Sequence, residues 1–530
     1  MQGKILIVDD LPDLRATIRG ILQDAGHITQ TVATQEEALE AIRTERFHVA
    51  ILDVRLDETD EENREGLALM HKIGDLDPTI AVIILTGHAD VGMVQDALQP
   101  GPNGVRAAFG FLQKNELEKL TDTIESALKN YVGISGNLDI DDPELVFPKI
   151  AQQIRFKDLA KPDTSILLDE LQELVAKLLP RCKKIQVKMI NQGFSGAAVI
   201  AVIPWYRTNG KGQMLIAKLG ELPQIELERK NYSEYVEGMI GGHRLPKTIS
   251  VARTRLLGGI LYTYAGMEKV QDFGDYCRAA RIEEILSTLE NLFWNTCEPW
   301  AAQTGQLILN QNLRIVFMKH LRLTDEKLGL VLERLIGKNK SFIRKGEDHI
   351  ALASNPTEVF VNPVKFALDT ELRADCYDRI IHGDLYGNNI LVDHHNETWL
   401  IDFERTGPGL ALQDFVSLDN YVRMSLYENI DLQTWLKWER LSMVDLPEFP
   451  PESQSISKPF HISQKIRDLA SQTHYYDRKI YLTGLLFNAL RTATLLGLSI
   501  YTRNHALLSA CLISEELAKE SNHVKNLNCR

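Results

Sequence analysis

The sequence predicts a multidomain chain of mixed class, α/β at its N-terminus and α+β beyond, and three observations lead there. Its 530 residues exceed what one ordinary hydrophobic core organises. Over the first 131 residues single apolar runs alternate with helix-periodic stretches, whereas later runs come in adjacent pairs joined by turns and give way to a helical tail. The content of 44% hydrophobic and 25% charged residues is that of a globular chain without bulk disorder.

In residues 1–131 apolar runs fall at 4–8, 48–54, 79–86 and 108–114, with helical periodicity at 14–22 and 36–42. Strands that alternate with helices form a parallel sheet covered on both faces, and its functional groups sit at the carboxyl ends of the strands. Those ends carry Asp9 and Asp10, Asp53, Thr86 and Lys114. Three carboxylates at one sheet end repel one another and call for a cation, with Mg²⁺ the natural one. This set, in this order, resembles the receiver domain of two-component response regulators, a flavodoxin-like (βα)5 fold. The resemblance implies that Asp53 is the phosphoacceptor and that Asp9, Asp10 and Asp53 bind Mg²⁺, the Arg55 carbonyl completing the site. It also implies that Thr86 and Lys114 bind phosphoryl oxygens and that Phe111 is the aromatic switch. Asn115 stands where that family usually has Pro, and the acidic stretch 57–65 is longer than the usual loop, a solvated insertion.

A second motif runs from His382 to Glu404, HGDLYGNNILVDHHNETWLIDFE. Asp384 is followed five residues later by Asn389, then by a short apolar run, a turn rich in His, Asn and Asp, and a second apolar pair before Asp402. This reads as loop, strand, hairpin turn and strand, which aims Asp384, Asn389 and Asp402 at one spot suited to Mg²⁺ and nucleotide phosphates. Order and spacing resemble the protein-kinase pattern, with Gly383 in place of Arg and Glu404 in place of the last Gly. With those departures the segment is similar to the aminoglycoside and choline phosphotransferase-like branch of that bilobal fold. The resemblance implies Asp384 as catalytic base, Asn389 and Asp402 as Mg²⁺ ligands, ATP as phosphoryl donor, and a supporting role for His382.

Upstream, residues 132–181 read as a helical linker, with one helix over 167–179 that ends at Pro180 and could support a homodimer. Residues 182–266 would form the smaller lobe. Strands at 185–190 and 198–203 flank the run QGFSGA, where Gly193, Ser195 and Gly196 can lay backbone N–H groups over phosphates. The spacing is not the G-x-S-x-G of a serine hydrolase. The strand 214–218 ends in Lys218, similar to the phosphate-contacting Lys of kinases. Glu228, or next Glu234, on the helix 224–239 is its expected ion-pair partner. The strand 258–266 corresponds by resemblance to the hinge, with Tyr264 and Ala265 at adenine. Residues 267–530 form the larger lobe, with helices at 283–294, 310–323 and 328–336, an inserted β-element over 341–366, and a tail broken by prolines 447–459.

A net charge of −13 argues against coating nucleic acid, whose affinity comes from Lys and Arg. The cluster Arg334, Lys338, Lys340, Arg344 and Lys345 reads as a solvated face. Six scattered cysteines lack any C-x-x-C pair, there is no apolar signal core, and Asn488 and Arg491 interrupt the hydrophobic run 481–501, so a packed helix is expected rather than a membrane span. The expectation is a cytoplasmic response regulator, phosphorylated by a cognate histidine kinase, whose receiver controls an ATP- and Mg²⁺-dependent phosphotransferase. Only a dozen residues separate Asp402 from Asp414, which favours a small-molecule hydroxyl as acceptor over a polypeptide. The alternative is a nucleotide-binding pseudokinase scaffold that recruits protein partners.

Overall fold

Strands β1 (Lys4–Val8), β2 (Ile28–Val32), β3 (Val49–Leu52), β4 (Ala81–Thr86) and β5 (Gly110–Gln113) form a parallel sheet of order β2-β1-β3-β4-β5. Side chains alternate across a strand, so each apolar run serves two cores at once. Leu6, Val8, Ala50, Leu52, Val82 and Ile84 pack toward α2 (Gln35–Thr44) and α3 (Glu65–Leu76). Ile5, Ile7, Val49, Ile51, Ile83 and Leu85 face the other way, toward α1 (Pro12–Asp24) and α4 (Leu120–Ala127). Pro12 starts α1, where its missing N–H costs nothing, and the Thr34 hydroxyl caps α2 by accepting from Glu37 N at 3.2 Å.

The computed structural model describes residues 2–57, 63–87, 108–133, 138–189, 196–208, 210–239, 245–264, 270–303, 305–337, 340–426, 430–443 and 454–528. They fall into two compact units, Met1–Leu227 with Lys247–Ala265, and Glu228–Pro246 with Gly266–Arg530.

The first unit holds the receiver-like sheet together with a second, mainly antiparallel sheet: Thr248–Arg253, Leu257–Thr263, Leu215–Glu221, Ala198–Tyr206 and Cys182–Met189 in that order, then Asp139–Ile140. Here the structure draws the boundaries differently from the sequence expectation of a separate linker over 132–181. Helices Pro143–Gln153 and Thr164–Leu178 bury Phe147, Ile150, Leu167, Leu171, Leu174 and Leu178 in one core with Ile185, Ile200, Val202 and Leu219 of that sheet. An amphipathic helix needs an apolar partner, and this sheet face supplies it.

The second unit contains the sheet Gln306–Asn312, Arg373–Ile381 and Gly407–Leu410, and the hairpin Ile390–Val392 with Thr398–Leu400. A small three-stranded sheet, Phe342–Arg344, His349–Leu352 and Asn355–Val361, stands where an inserted β-element was expected. The expected helix over 310–323 is shorter: Gln306–Asn312 is a strand paired with Arg373–Ile381, and only Leu313–His320 is helical. Tail helices follow at Leu432–Ser442, Gln454–Ser471, Arg478–Thr494 and Ile500–Asn528. Pro459, read as part of a break, lies inside Gln454–Ser471. Helix Arg478–Thr494 is buried nearly all round, which explains its continuous apolar run, and no helix among the described residues is long and apolar enough to cross a membrane.

Candidate functional site

The carboxyl end of the first sheet gathers the groups that the strand ends promised. Asp9 directly follows β1, Asp53 directly follows β3, and both are almost fully buried. One oxygen from each of Asp9, Asp10 and Asp53 lies within 4.8 Å of the other two. Lys114, one residue past β5, places its Nζ 2.5 Å from Asp53 Oδ2 and 3.0 Å from Asp9 Oδ2. Lys114 N donates to Thr86 O at 2.9 Å, which fixes β5 against the end of β4. Thr86 is buried there, and Phe111 packs half-buried against the α2 and α3 core.

Burial pushes the Asp53 carboxyl up to about 6; the Lys114 hydrogen bond opposes this and the Asp9 charge adds to it. Burial works against the Lys114 ammonium, but the Asp53 and Asp9 carboxylates outweigh it and leave its pKa raised. The loop after Asp53 turns back at Gly66, whose N–H donates to Val54 O at 3.0 Å. A Cβ at Gly66 would fall 1.7 Å from the Asp53 carbonyl oxygen, so glycine is a steric requirement of the site. Three oxygen donors around one point, with the Lys114 ammonium against two of them, form a donor set that fits Mg²⁺. Part of the acidic insertion, residues 58–62, lies outside the described residues.

In the second unit the segment 382–404 is held from beneath. His382 is fully buried; its N–H and that of Gly383 donate to the two oxygens of Asp414 at 2.7 and 2.9 Å. Its ring Nε2 lies 3.0 Å from Ile401 O. Burial keeps the Asp414 pKa raised. Gly383 has φ +77°, and a Cβ there would meet Arg405 O at 2.3 Å, which explains a glycine where the related pattern has Arg. Asn389 Nδ2 donates to Asp384 O at 2.8 Å and reaches Asp384 Oδ2 at 3.4 Å. The hairpin closes with Ile401 N donating to Asn389 O, which sets Asp402, in a left-handed conformation at φ +68°, next to that bond.

Lys218 is buried on a central strand of the second sheet, opposite Val199 and Ile260. It belongs to the first unit, and Glu228 to the second. Gly196 has φ +88° and its carbonyl accepts from Arg155 N at 2.9 Å. Gly193 and Ser195 lie outside the described residues, as does Ala265, while Tyr264 follows the strand Leu257–Thr263. Sequence reasoning missed Glu221, a fully buried carboxylate that accepts from Lys157 N and Asp158 N, each at 2.9 Å, and from Leu159 N. Its sequence signal, a charged residue ending an otherwise apolar strand, was present.

Residues 5–125 match the response regulator receiver domain family, and residues 346–494 match a family described as ternary complex associated domain 9. The second match is not the phosphotransferase family that the spacing of 382–404 resembles. Among curated relatives, the C4-dicarboxylate transport transcriptional regulatory protein DctD of Rhizobium meliloti is 34% identical over 21% of this chain and 22% of its own length. The nitrogen assimilation regulatory protein NtrX of Azorhizobium caulinodans is 30% identical over 24% and 27%. Sporulation initiation phosphotransferase F of Bacillus subtilis is 26% identical over 26% of this chain and 99% of its own length. The chain thus spans less than half the length of the transcriptional regulators it matches first. A CheY-like receiver domain protein from Methanospirillum hungatei is 28% identical and covers 24% of this chain and 98% of its own, with a TM-score of 0.21. Residues 5–125 are therefore a response regulator receiver domain of the two-component type.

Proposed function

We propose that Asp53 accepts a phosphoryl group from a cognate histidine kinase and that this controls an ATP- and Mg²⁺-dependent phosphotransferase built around Asp384. The observation that carries the reading is the convergence of Asp9, Asp10 and Asp53 on one point with Lys114 against Asp53. In the transfer an Asp53 carboxylate oxygen forms the new P–O bond while the P–N bond of the donor phosphohistidine breaks, and the imidazole leaves with a proton. Asp9, Asp10 and Asp53 would hold Mg²⁺, which would supply charge neutralisation for that exchange. Lys114 moves from the carboxylate to the phosphoryl oxygens, and the Thr86 hydroxyl meets them at the end of β4.

At the output, Asp384 takes the proton of an acceptor hydroxyl, and Asn389 and Asp402 are the groups suited to the cation on ATP. The rigid loop supports this: Asp414 fixes the backbone before Asp384, and Asn389 restrains the Asp384 carboxylate itself. A second reading, a scaffold that assembles partners when the receiver is phosphorylated, draws support from the description of the family matched by residues 346–494. ATP consumption by the full chain with candidate hydroxyl acceptors, with and without beryllofluoride on the receiver, separates the two. Turnover that beryllofluoride changes supports the enzyme; nucleotide binding without turnover, together with partner capture, supports the scaffold. Intact-mass detection of one phosphoryl group on the wild type, absent from Asp53→Ala, tests the receiver step.

A further inference from the structure

Three guanidinium groups, from parts of the chain far apart in sequence, gather around the His320 ring, and two of them, Arg405 and Arg491, also feel the Asp384 charge. Arg405 places Nη1 3.8 Å from Asp384 Oδ1 and donates to the His320 carbonyl at 3.2 Å. Arg491, on the helix Arg478–Thr494, donates to the Tyr386 hydroxyl at 2.7 Å and lies 5.5 Å from that ring's centroid. Tyr386 OH in turn donates to Asn488 Oδ1 at 3.0 Å, which fixes the phenol that Arg491 grips. Arg322, two residues past His320, reaches Glu404 Oε1 at 3.1 Å with half its side chain exposed. A guanidinium has five donors, and these contacts use few of them. Three positive charges, on Arg322, Arg405 and Arg491, stand against two negative ones, on Asp384 and Glu404.

We propose that Arg322, Arg405 and Arg491 receive an anionic group, so that the hydroxyl compound presented to Asp384 carries a phosphate monoester or a carboxylate. The inference deepens the phosphotransferase reading and rests on it for the acceptor role; the binding of the anion can be measured apart from it. Arginine suits this task because its planar fork pairs with the two oxygens of a phosphate or carboxylate. Two further observations fit. His320 Nε2 is buried without a hydrogen-bond partner. Burial first, then the charges of Arg405, Arg491 and Arg322, push the His320 pKa down to about 4, while a hydrogen bond to the Gly383 carbonyl opposes them; the ring stays neutral beside an otherwise cationic surface. A site built for a cation such as choline would place carboxylates where these arginines stand.

The test is calorimetric titration of the full chain with sn-glycerol 3-phosphate, D-glycerate, glycerol and choline, followed by the same titrations on variants. The expected result is binding of one or both anions, with none of glycerol or choline at matched concentration. Arg405→Ala and Arg491→Gln should each weaken the anion about ten-fold or more, with partial recovery in Arg491→Lys. Arg322→Ala, at a half-exposed side chain, should weaken it about three-fold. Asp384→Asn should bind the anion as tightly as the wild type or tighter, since it removes a nearby negative charge. Preference for glycerol or choline, anion binding indifferent to all three arginines, or no binding of any probe up to about 10 mM overturns the proposal. Arginine-dependent anion binding in a protein that consumes no ATP would instead retain this site and sink the phosphotransferase.

Discussion

Asp53→Asn should stabilise the metal-free protein at neutral pH. Burial raises the carboxyl from 3.8 to about 6, so the folded state binds its proton more tightly than the unfolded state does. The sign follows from linkage: this stability is fully present below about 3.8 and is lost as the pH rises to and beyond about 6. The displacement corresponds to about 3 kcal/mol of unfavourable charge at pH 7.5. That is an upper bound for the substitution, because Lys114 loses one of two carboxylate partners and keeps only Asp9. Allowing about half leaves roughly 1.5 kcal/mol, which for a unit of this size is about 3–6 °C in melting temperature. The assay is a set of paired thermal melts of wild type and variant in chelator at pH 4.5 and pH 7.5. The difference should be small at the lower pH and favour the variant at the higher one. Added Mg²⁺ should then raise the wild type and leave the variant nearly unmoved, since the cation offsets the charge that the variant lacks. A pH-independent difference, or a variant less stable at pH 7.5, would refute burial as the source of the raised carboxyl.

Arg46→Ala should cost about 3 kcal/mol, seen as an early unfolding transition, because Asp77 would be left buried without its cation and Glu173 would keep only Lys177 and His48. Gly66→Ala should cost about 3 kcal/mol or more and abolish phosphorylation by a small phosphoryl donor, because the new methyl meets the Asp53 carbonyl. Under the proposed mechanism Asp384→Asn should abolish turnover while ATP affinity, measured by titration, stays within several-fold; full activity would remove Asp384 as the base.

The receiver half was legible because a parallel sheet concentrates chemistry at strand ends and because each strand is apolar on both faces. Asp9, Asp53 and Lys114 are legible as strand-end groups, although the apolar runs 48–54 and 108–114 overrun the strands that Asp53 and Lys114 follow. The hairpin of 390–400 was legible for a similar reason, a turn bounded by two short apolar runs. Partners distant in sequence were not. Periodicity marked Leu167, Leu171 and Leu174 as one helical face, but it cannot say that this face lies on a sheet rather than on a second copy. Glu170 and Glu173 on that helix are buried, which the spacing of its apolar residues does not signal. Residues 310–312, the end of the strand Gln306–Asn312, were expected as helix because the strand's pairing with Arg373–Ile381 is decided some 65 residues later. The arginines beside Asp384 were invisible for the same cause: Arg491 was noticed only as a charge that spoils a membrane span.

Glu173 also bears on how the receiver meets the rest of the first unit. Arg46 donates to both of its oxygens at 2.9 Å, to Asp77 at 2.7 Å and to Thr79 at 2.7 Å, while Lys177 sits 2.6 Å from Glu173. Glu170, on the same helix, accepts from Thr254 Oγ1 and from Leu256 N at 2.9 Å, and Arg255 donates to Ile42 O at 2.7 Å. Arg46, Pro78 and Thr79 precede β3 and β4, at the opposite strand ends from Asp53 and Thr86. The second sheet is therefore fastened to the receiver by buried charge pairs at its far end. Such a junction resists small displacements, because breaking one pair exposes the rest to an uncompensated charge. Arg46 thus ties the strand-start end of the receiver sheet to the helix Thr164–Leu178.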